Sequence, residues 1–195
     1  MPEIVLARHG ETDWSRAGRH TGRTDVPLTQ TGRRQAELLR APLARRSFTR
    51  VLTSPLERAA ETCRLAGLGD RAERREALVE WDYGELEGLT TPQIRKRRPG
   101  WRLWRDGCPG GESPADVAAR VDPLVEELSD LRGDAALFAH GHLLRVLAAR
   151  WLGLPPGDGG LLVLSTGTLS TLGWEHERRV VSRWNAPVTD RADAD

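Results

Sequence analysis

The stretch "IVLARHGETDW" at residues 4–14 decides how this chain folds. Ile4, Val5, Leu6 and Ala7 form a continuous apolar run of the kind expected of a buried strand. The run ends in Arg8 and His9, and Gly10 follows at once. Two cation-forming side chains at the end of a buried strand are costly without a partner or a ligand. A glycine directly behind them permits close backbone approach. The strand end therefore reads as one wall of a site rather than as part of a core.

The same alternation continues outward. After a polar loop over 8–28, the Thr29 hydroxyl is placed to cap a helix carrying Ala36, Leu39 and Leu43 at helical spacing. Residues 51–53 read as a second strand, and Ser54-Pro55 as N-cap and first position of a helix to about Gly67. Ser113-Pro114 opens a helix to about Leu131 by the same logic, followed by a buried strand over 135–139 and a helix over 142–152. Residues 155–160 read as a loop. Residues 168–174 and 180–184 alternate like strands, with "EHER" between them as a hairpin turn. Residues 80–112 are rich in Gly, Trp and Arg and lack clean periodicity. They read as an insertion covering the carboxyl ends of the strands, with a short helix after Thr91-Pro92. Strands alternating with helices predict a three-layer α/β/α domain with a largely parallel central sheet. One domain over residues 1–185 is expected, with 186–195 as a loose tail.

The 195 residues suit one full core, and 38% apolar with 29% charged residues is a globular composition. A formal net charge of +1 gives no pull toward nucleic acid or anionic membranes. No apolar stretch is long enough for a bilayer, and no signal-peptide pattern opens the chain, so the expected location is the cytoplasm. Cys63 and Cys108 lack CxxC spacing and read as idle thiols.

Three strand ends carry chemistry. The first ends in Arg8-His9. The second ends in Ser54-Pro55, with Arg58 in the next helical turn. The 135–139 strand ends in His140-Gly141-His142. In an open parallel sheet ligands bind at carboxyl ends of strands, so these groups converge despite their separation in sequence. Guanidinium forks match phosphate oxygens, and a helix N-terminus adds amide donors. A neutral imidazole can attack phosphorus, while arginines and a second, protonated histidine offset the charge of the transferring group. A leaving alkoxide needs an acid, and Glu80 in the insertion supplies one. Each element alone has a plainer reading. His-Gly after a strand is ordinarily a turn, Ser-Pro-x-x-Arg is scaffold, and a single Glu is a surface acid. His140 and His142 also form an HxH pair suited to a metal, but no carboxylate or cysteine ligands stand nearby, so no metal and no cofactor are expected. His20, His176 and the arginine clusters at 71–75 and 95–98 read as surface, with Arg95 in the insertion able to reach a substrate.

With these residues in view, the sequence resembles the histidine phosphatase superfamily, which includes the cofactor-dependent phosphoglycerate mutases. "RHGET" at 8–12, "GRHTGRTDVPLTQTGRRQA" at 18–36, "TSPLERAAET" at 53–62, "EWDYGELEG" at 80–88, "GGES" at 110–113 and "AHGHLLR" at 139–145 occur in the family's order. The resemblance implies that His9 becomes phosphohistidine, that Arg8, Arg58 and His140 complete the phosphate pocket, and that Glu80 donates the proton. It places Thr21 and Gly22 near the substrate. Ser15 stands where many members have Asn, and His142 where the mutases have Asn; both are carried as substrate-binding candidates. The short cover resembles that of small phosphatases, including sedoheptulose-bisphosphatase-like and broad-specificity acid phosphatases. The expected activity is metal-independent hydrolysis of small phosphomonoesters, sugar phosphates foremost. A mutase and a non-catalytic phospho-ligand module are the alternatives. The segment "WRLWRD" at 101–106 is expected to select the substrate, with Trp101 and Trp104 on one helical face and Arg102 and Arg105 one step around; the tryptophans read as core, and Arg105 is carried as facing the pocket, with a solvated arginine as the alternative. Whether the protein is a monomer or a homodimer is open in the sequence.

Overall fold

The computed structural model describes residues 2–189. Six strands, β1 (Ile4–Arg8), β2 (Arg50–Thr53), β3 (Glu73–Arg74), β4 (Ala135–Ala139), β5 (Thr168–Glu175) and β6 (Arg178–Pro187), form one sheet in the order β3-β2-β4-β1-β5-β6. β1, β4, β2 and β3 run parallel, with Arg8 beside Ala139 and Thr53 beside Phe138. β5 is antiparallel to β1, and β6 to β5. The sheet is thus parallel at its centre with an antiparallel hairpin at one edge.

Alternate residues of the central strands bury opposite faces, as the two-residue period of a strand requires. Ile4, Leu6, Ala135, Leu137 and Ala139 enter one core, while Val5, Ala7, Ala136 and Phe138 enter the other. The helices are α1 (Asp13–Arg16), α2 (Gln30–Leu38), α3 (Arg40–Leu43), α4 (Glu57–Leu65), α5 (Thr91–Arg97), α6 (Leu103–Asp106), α7 (Pro114–Ser129) and α8 (Gly141–Trp151). Val117, Val121, Leu143 and Leu147 from α7 and α8 cover the first face, and Leu43 and Cys63 from α3 and α4 the second. Both faces are closed, and the α/β/α layering stands as expected.

Several local expectations need correction. Ser54-Pro55 does not open α4; the N-cap is Leu56, whose own amide donates to the Ser54 hydroxyl (3.3 Å), and that hydroxyl also lies 2.7 Å from His140 Nε2. The helix expected through Leu43 breaks between α2 and α3. A two-residue strand, β3, lies within the arginine cluster at 71–75. β6 runs on to Pro187, and Val188 packs on the second core, so the chain remains structured past residue 185; residues 190–195 of the expected tail lie outside the described residues. By contrast, Thr29 caps α2, Ser113 caps α7 with Pro114 in its first turn, and His176 makes the β5–β6 turn at φ 51°. Cys63 and Cys108 are buried free thiols, both pushed up to about 12 by burial. No helix among the described residues is long and apolar enough to cross a membrane.

Candidate active site

A cavity of about 260 Å³ opens at the carboxyl ends of β1 and β4. Arg8, His9, Ser15, Thr21, Glu80, Gly141 and His142 line it, joined by Arg19, His20, Tyr83, Thr91 and Arg145. Its floor is set by backbone proximity. The His9 amide donates to the Ala139 carbonyl, continuing the β1–β4 ladder one step past the strand. A Cβ on Gly10 would lie 2.1 Å from the Gly32 carbonyl oxygen, so only glycine lets the chain turn against α2 here.

His9 Nδ1 lies 2.7 Å from the Gly10 carbonyl oxygen. A carbonyl accepts only, so Nδ1 carries the proton and Nε2 keeps its lone pair. Among the described residues Nε2 has no hydrogen-bond partner, and it is not sealed off, so it is open to the cavity. Burial, then Arg58 and Arg8, hold His9 well below its ordinary pKa, and the imidazole is neutral. Arg8 donates from Nη1 to the Leu164 carbonyl, while its Nε is buried without a partner.

Arg58 and His140 stand behind this wall and do not line the cavity. Arg58 is fully buried. It donates to the carbonyls of Thr21 (3.1 Å), Gly22 (2.7 Å) and Thr24 (2.9 Å), and from Nε to His140 Nδ1 (3.2 Å). His140 Nε2 in turn lies 2.7 Å from the Ser54 hydroxyl. A nitrogen that accepts from a guanidinium is unprotonated, so His140 is neutral, and burial followed by Arg58 holds it well below its ordinary value. The expectation of a protonated second histidine is therefore corrected. The His9 and His140 rings lie 5.2 Å apart. The helix N-terminus expected to cradle phosphate is also occupied, since the Asp25 carboxylate accepts from the Glu57 amide at the start of α4 (2.9 Å).

Glu80 is buried at the start of α8. Its Oε1 accepts from the amides of Trp81 (2.9 Å) and Leu143 (2.8 Å), its Oε2 from that of His142 (3.1 Å). The amides at this helix N-terminus fix the carboxyl group in place, and Oε2, with a single amide partner, keeps a lone pair free to carry a proton.

The other expected residues divide. Ser15 closes a capping box with Thr12 at α1, and its hydroxyl is used within that box. The Thr21 hydroxyl donates to the Arg19 carbonyl. Gly22 lies outside the cavity, its amide held by Glu87 Oε1 (2.8 Å) and its α-carbon without room for a side chain. Arg105 lines not the cavity but a groove that adjoins it; its side chain is 65% exposed and paired with Asp106 (2.7 Å). Trp101 and Trp104 share no helical face, because α6 starts only at Leu103; Trp101 is buried, and Trp104 packs edge-on to Trp81. His20 is no surface residue: burial lowers it to about 4, and its ring lies 4.8 Å from Tyr83. Tyr83, Arg145 and Glu87 were missed. Arg145 had a signal, falling on the same face of α8 as His142, three residues on. Among the described residues no group of three or more His, Cys, Asp or Glu side chains is placed to hold a metal.

The sequence model of the histidine phosphatase superfamily (branch 1) matches residues 4–187. The chain belongs to this superfamily. It is similar to an acid phosphatase of Mycobacterium tuberculosis, 45% identical over 89% of this chain and 87% of that one. It is also similar to the sedoheptulose 1,7-bisphosphatase of Saccharomyces cerevisiae, 36% identical over 78% of this chain and 68% of that one. Among solved structures, a mycobacterial glucosyl-3-phosphoglycerate phosphatase in complex with VO3 superimposes at a TM-score of 0.84 and 34% identity, covering 95% of this chain and 100% of that one.

Proposed function

We propose that this chain hydrolyses small phosphorylated metabolites, sugar phosphates foremost, without a metal and through a phosphohistidine at His9. The chain is a phosphomonoester hydrolase; the substrate class and the residue roles are the proposal. The observation that carries it is the His9 tautomer: Nδ1–H tied to the Gly10 carbonyl, Nε2 free toward a cavity lined by Arg8, Arg19 and Arg145. Nε2 attacks phosphorus, and the phosphorus–oxygen bond to the leaving group breaks as Glu80 delivers a proton to that oxygen. Water then attacks the phosphohistidine, Glu80 takes its proton, and inorganic phosphate leaves with His9 restored. The arginines offset the charge on the transferring oxygens, a task otherwise suited to a metal. Arg58 and His140 hold the back of the site, and Glu87 and Arg58 pin residues 21–24 at its rim.

The test is a rapid quench with labelled sugar phosphates and phosphoglycerates in the presence of EDTA. Inorganic phosphate release and acid-labile label on the wild type, both absent in His9→Ala, are expected. Label transferred to another position of the substrate with little phosphate released means a mutase. Binding without label means a non-catalytic module. Loss of activity in EDTA restored by a divalent ion overturns the metal-free mechanism.

A further inference from the structure

Beside the cavity runs a groove of about 540 Å³, and the two share His20, Thr91 and His142 as common walls. His142 therefore stands on the rim between them. Its backbone amide donates to Glu80 Oε2, and both residues line the cavity. The ring is enclosed by aromatic neighbours: Trp104 at 5.2 Å, Tyr83 and His20 at 5.8 Å, and Trp81 at 6.4 Å between centroids. Such packing confines the ring, and the contact with the Tyr83 hydroxyl selects its orientation.

In that orientation Nδ1 meets the Tyr83 hydroxyl. Tyr83 is buried, and His142 Nδ1 is the one hydrogen-bond partner its hydroxyl has among the described residues. A buried hydroxyl proton without an acceptor is costly, so the hydroxyl donates and Nδ1 accepts. The proton of the neutral ring then sits on Nε2. Among the described residues Nε2 has no hydrogen-bond partner, and it is not sealed off, so it opens on the shared rim. Burial, Arg145, His20 and Arg8 all disfavour the imidazolium, and burial keeps the Tyr83 phenol protonated, consistent with this assignment.

We propose that Tyr83 is a positioning residue that fixes His142 as the Nε2–H tautomer, so that His142 donates a hydrogen bond to an oxygen of the leaving group where it passes from the cavity into the groove. The leaving groups it serves are polyols and sugars, which present a hydroxyl or ring oxygen next to the ester, and not aryl groups, which present none there. The second half of this proposal rests on the phosphatase reading; the tautomer does not.

The experiment has two readouts. Long-range nitrogen–proton NMR of the labelled, ligand-free protein near neutral pH reports which nitrogen of His142 bears the proton. The wild type is expected to show Nε2–H alone, and Tyr83→Phe, which keeps the ring and removes the donor, a mixture of both tautomers. Steady-state kinetics then compare a sugar phosphate with an aryl phosphate. Tyr83→Phe is expected to raise the sugar-phosphate KM by about two- to tenfold, the range of one neutral hydrogen bond, and the aryl-phosphate KM by less. In His142→Gln the amide supplies a donor near the same place without a tautomer to choose, so adding Tyr83→Phe to it is expected to cost nothing further. An Nδ1–H or doubly protonated His142 in the wild type, or a Tyr83→Phe spectrum identical to it, overturns the positioning role. Equal KM changes on both substrates, or additive costs of the two substitutions, overturn the leaving-group contact. A protein without phosphatase turnover fails the earlier reading, while the NMR result still decides the tautomer.

Discussion

At the scale of single residues, the site works by deciding where protons sit. His9 presents Nε2 because Gly10 takes its other nitrogen, and His140 accepts from Arg58 because both are enclosed together. Glu80 was readable from its motif, but its three amide partners were not, since two of them belong to residues more than sixty positions away. Its role carries a sharp prediction. Glu80→Gln removes the transferable proton yet keeps one carbonyl oxygen for the amides. Turnover of alkyl phosphates should fall by about 10²–10⁴-fold, the usual worth of general acid catalysis. Aryl phosphates, whose leaving groups need little help, should lose far less in the same kcat measurements. Equal losses on both classes would make Glu80 a binding or structural residue only.

At the scale of elements, the loop after β1 is pressed onto the first turn of α2. Gly10 and Gly32 meet backbone to backbone, and a Cβ on Gly32 would lie 2.1 Å from the Glu11 carbonyl oxygen. The Gly10 amide also donates to the Thr62 hydroxyl, which donates to the Arg58 carbonyl, so this contact ties the loop to α4 as well. Gly10→Ala should therefore push the loop off α2 and turn His9 away from the cavity. Overpacking of this kind costs about 1–3 kcal/mol, readable as a lower denaturation midpoint, and kcat should fall with it. A variant with unchanged midpoint and full activity would mean that the contact does not position His9. Cap residues gave α2 and α7 directly, because an N-cap hydroxyl is a local signal. Ser54 carries the same signal, but its hydroxyl takes the Leu56 amide, ahead of the helix, and meets His140, a partner far along the chain.

At the scale of the whole molecule, four histidines are held neutral inside one end of the domain. Burial keeps His9, His140 and His142 well below their ordinary pKa and brings His20 to about 4. The unfolded chain, with ordinary histidines near about 6.5, takes up these protons first as the pH falls. Stability from this source is complete above that value and is lost as the pH drops below it, down to about 4 for His20. Thermal midpoints should thus decline steadily between neutral pH and that point, and His20→Gln should lessen the slope. Midpoints flat across this range would show that the histidines are protonated in the folded protein.

The sequence by itself determined the layered α/β architecture, the strand ends that carry Arg8, His9 and His140, and the family to which the chain belongs. Those features are written in local signals: apolar runs, caps, and short motifs whose residues are neighbours in the chain. Only the tertiary structure decided which nitrogens bear protons, that His20, Tyr83 and Arg145 join the cavity, and that Arg105 turns to Asp106 at the surface. The physical reason is that proton placement and burial are set by partners across the fold. Arg58 meets His140 82 positions away, and Tyr83 meets His142 across 59, separations at which no periodicity or cap in the chain records the contact.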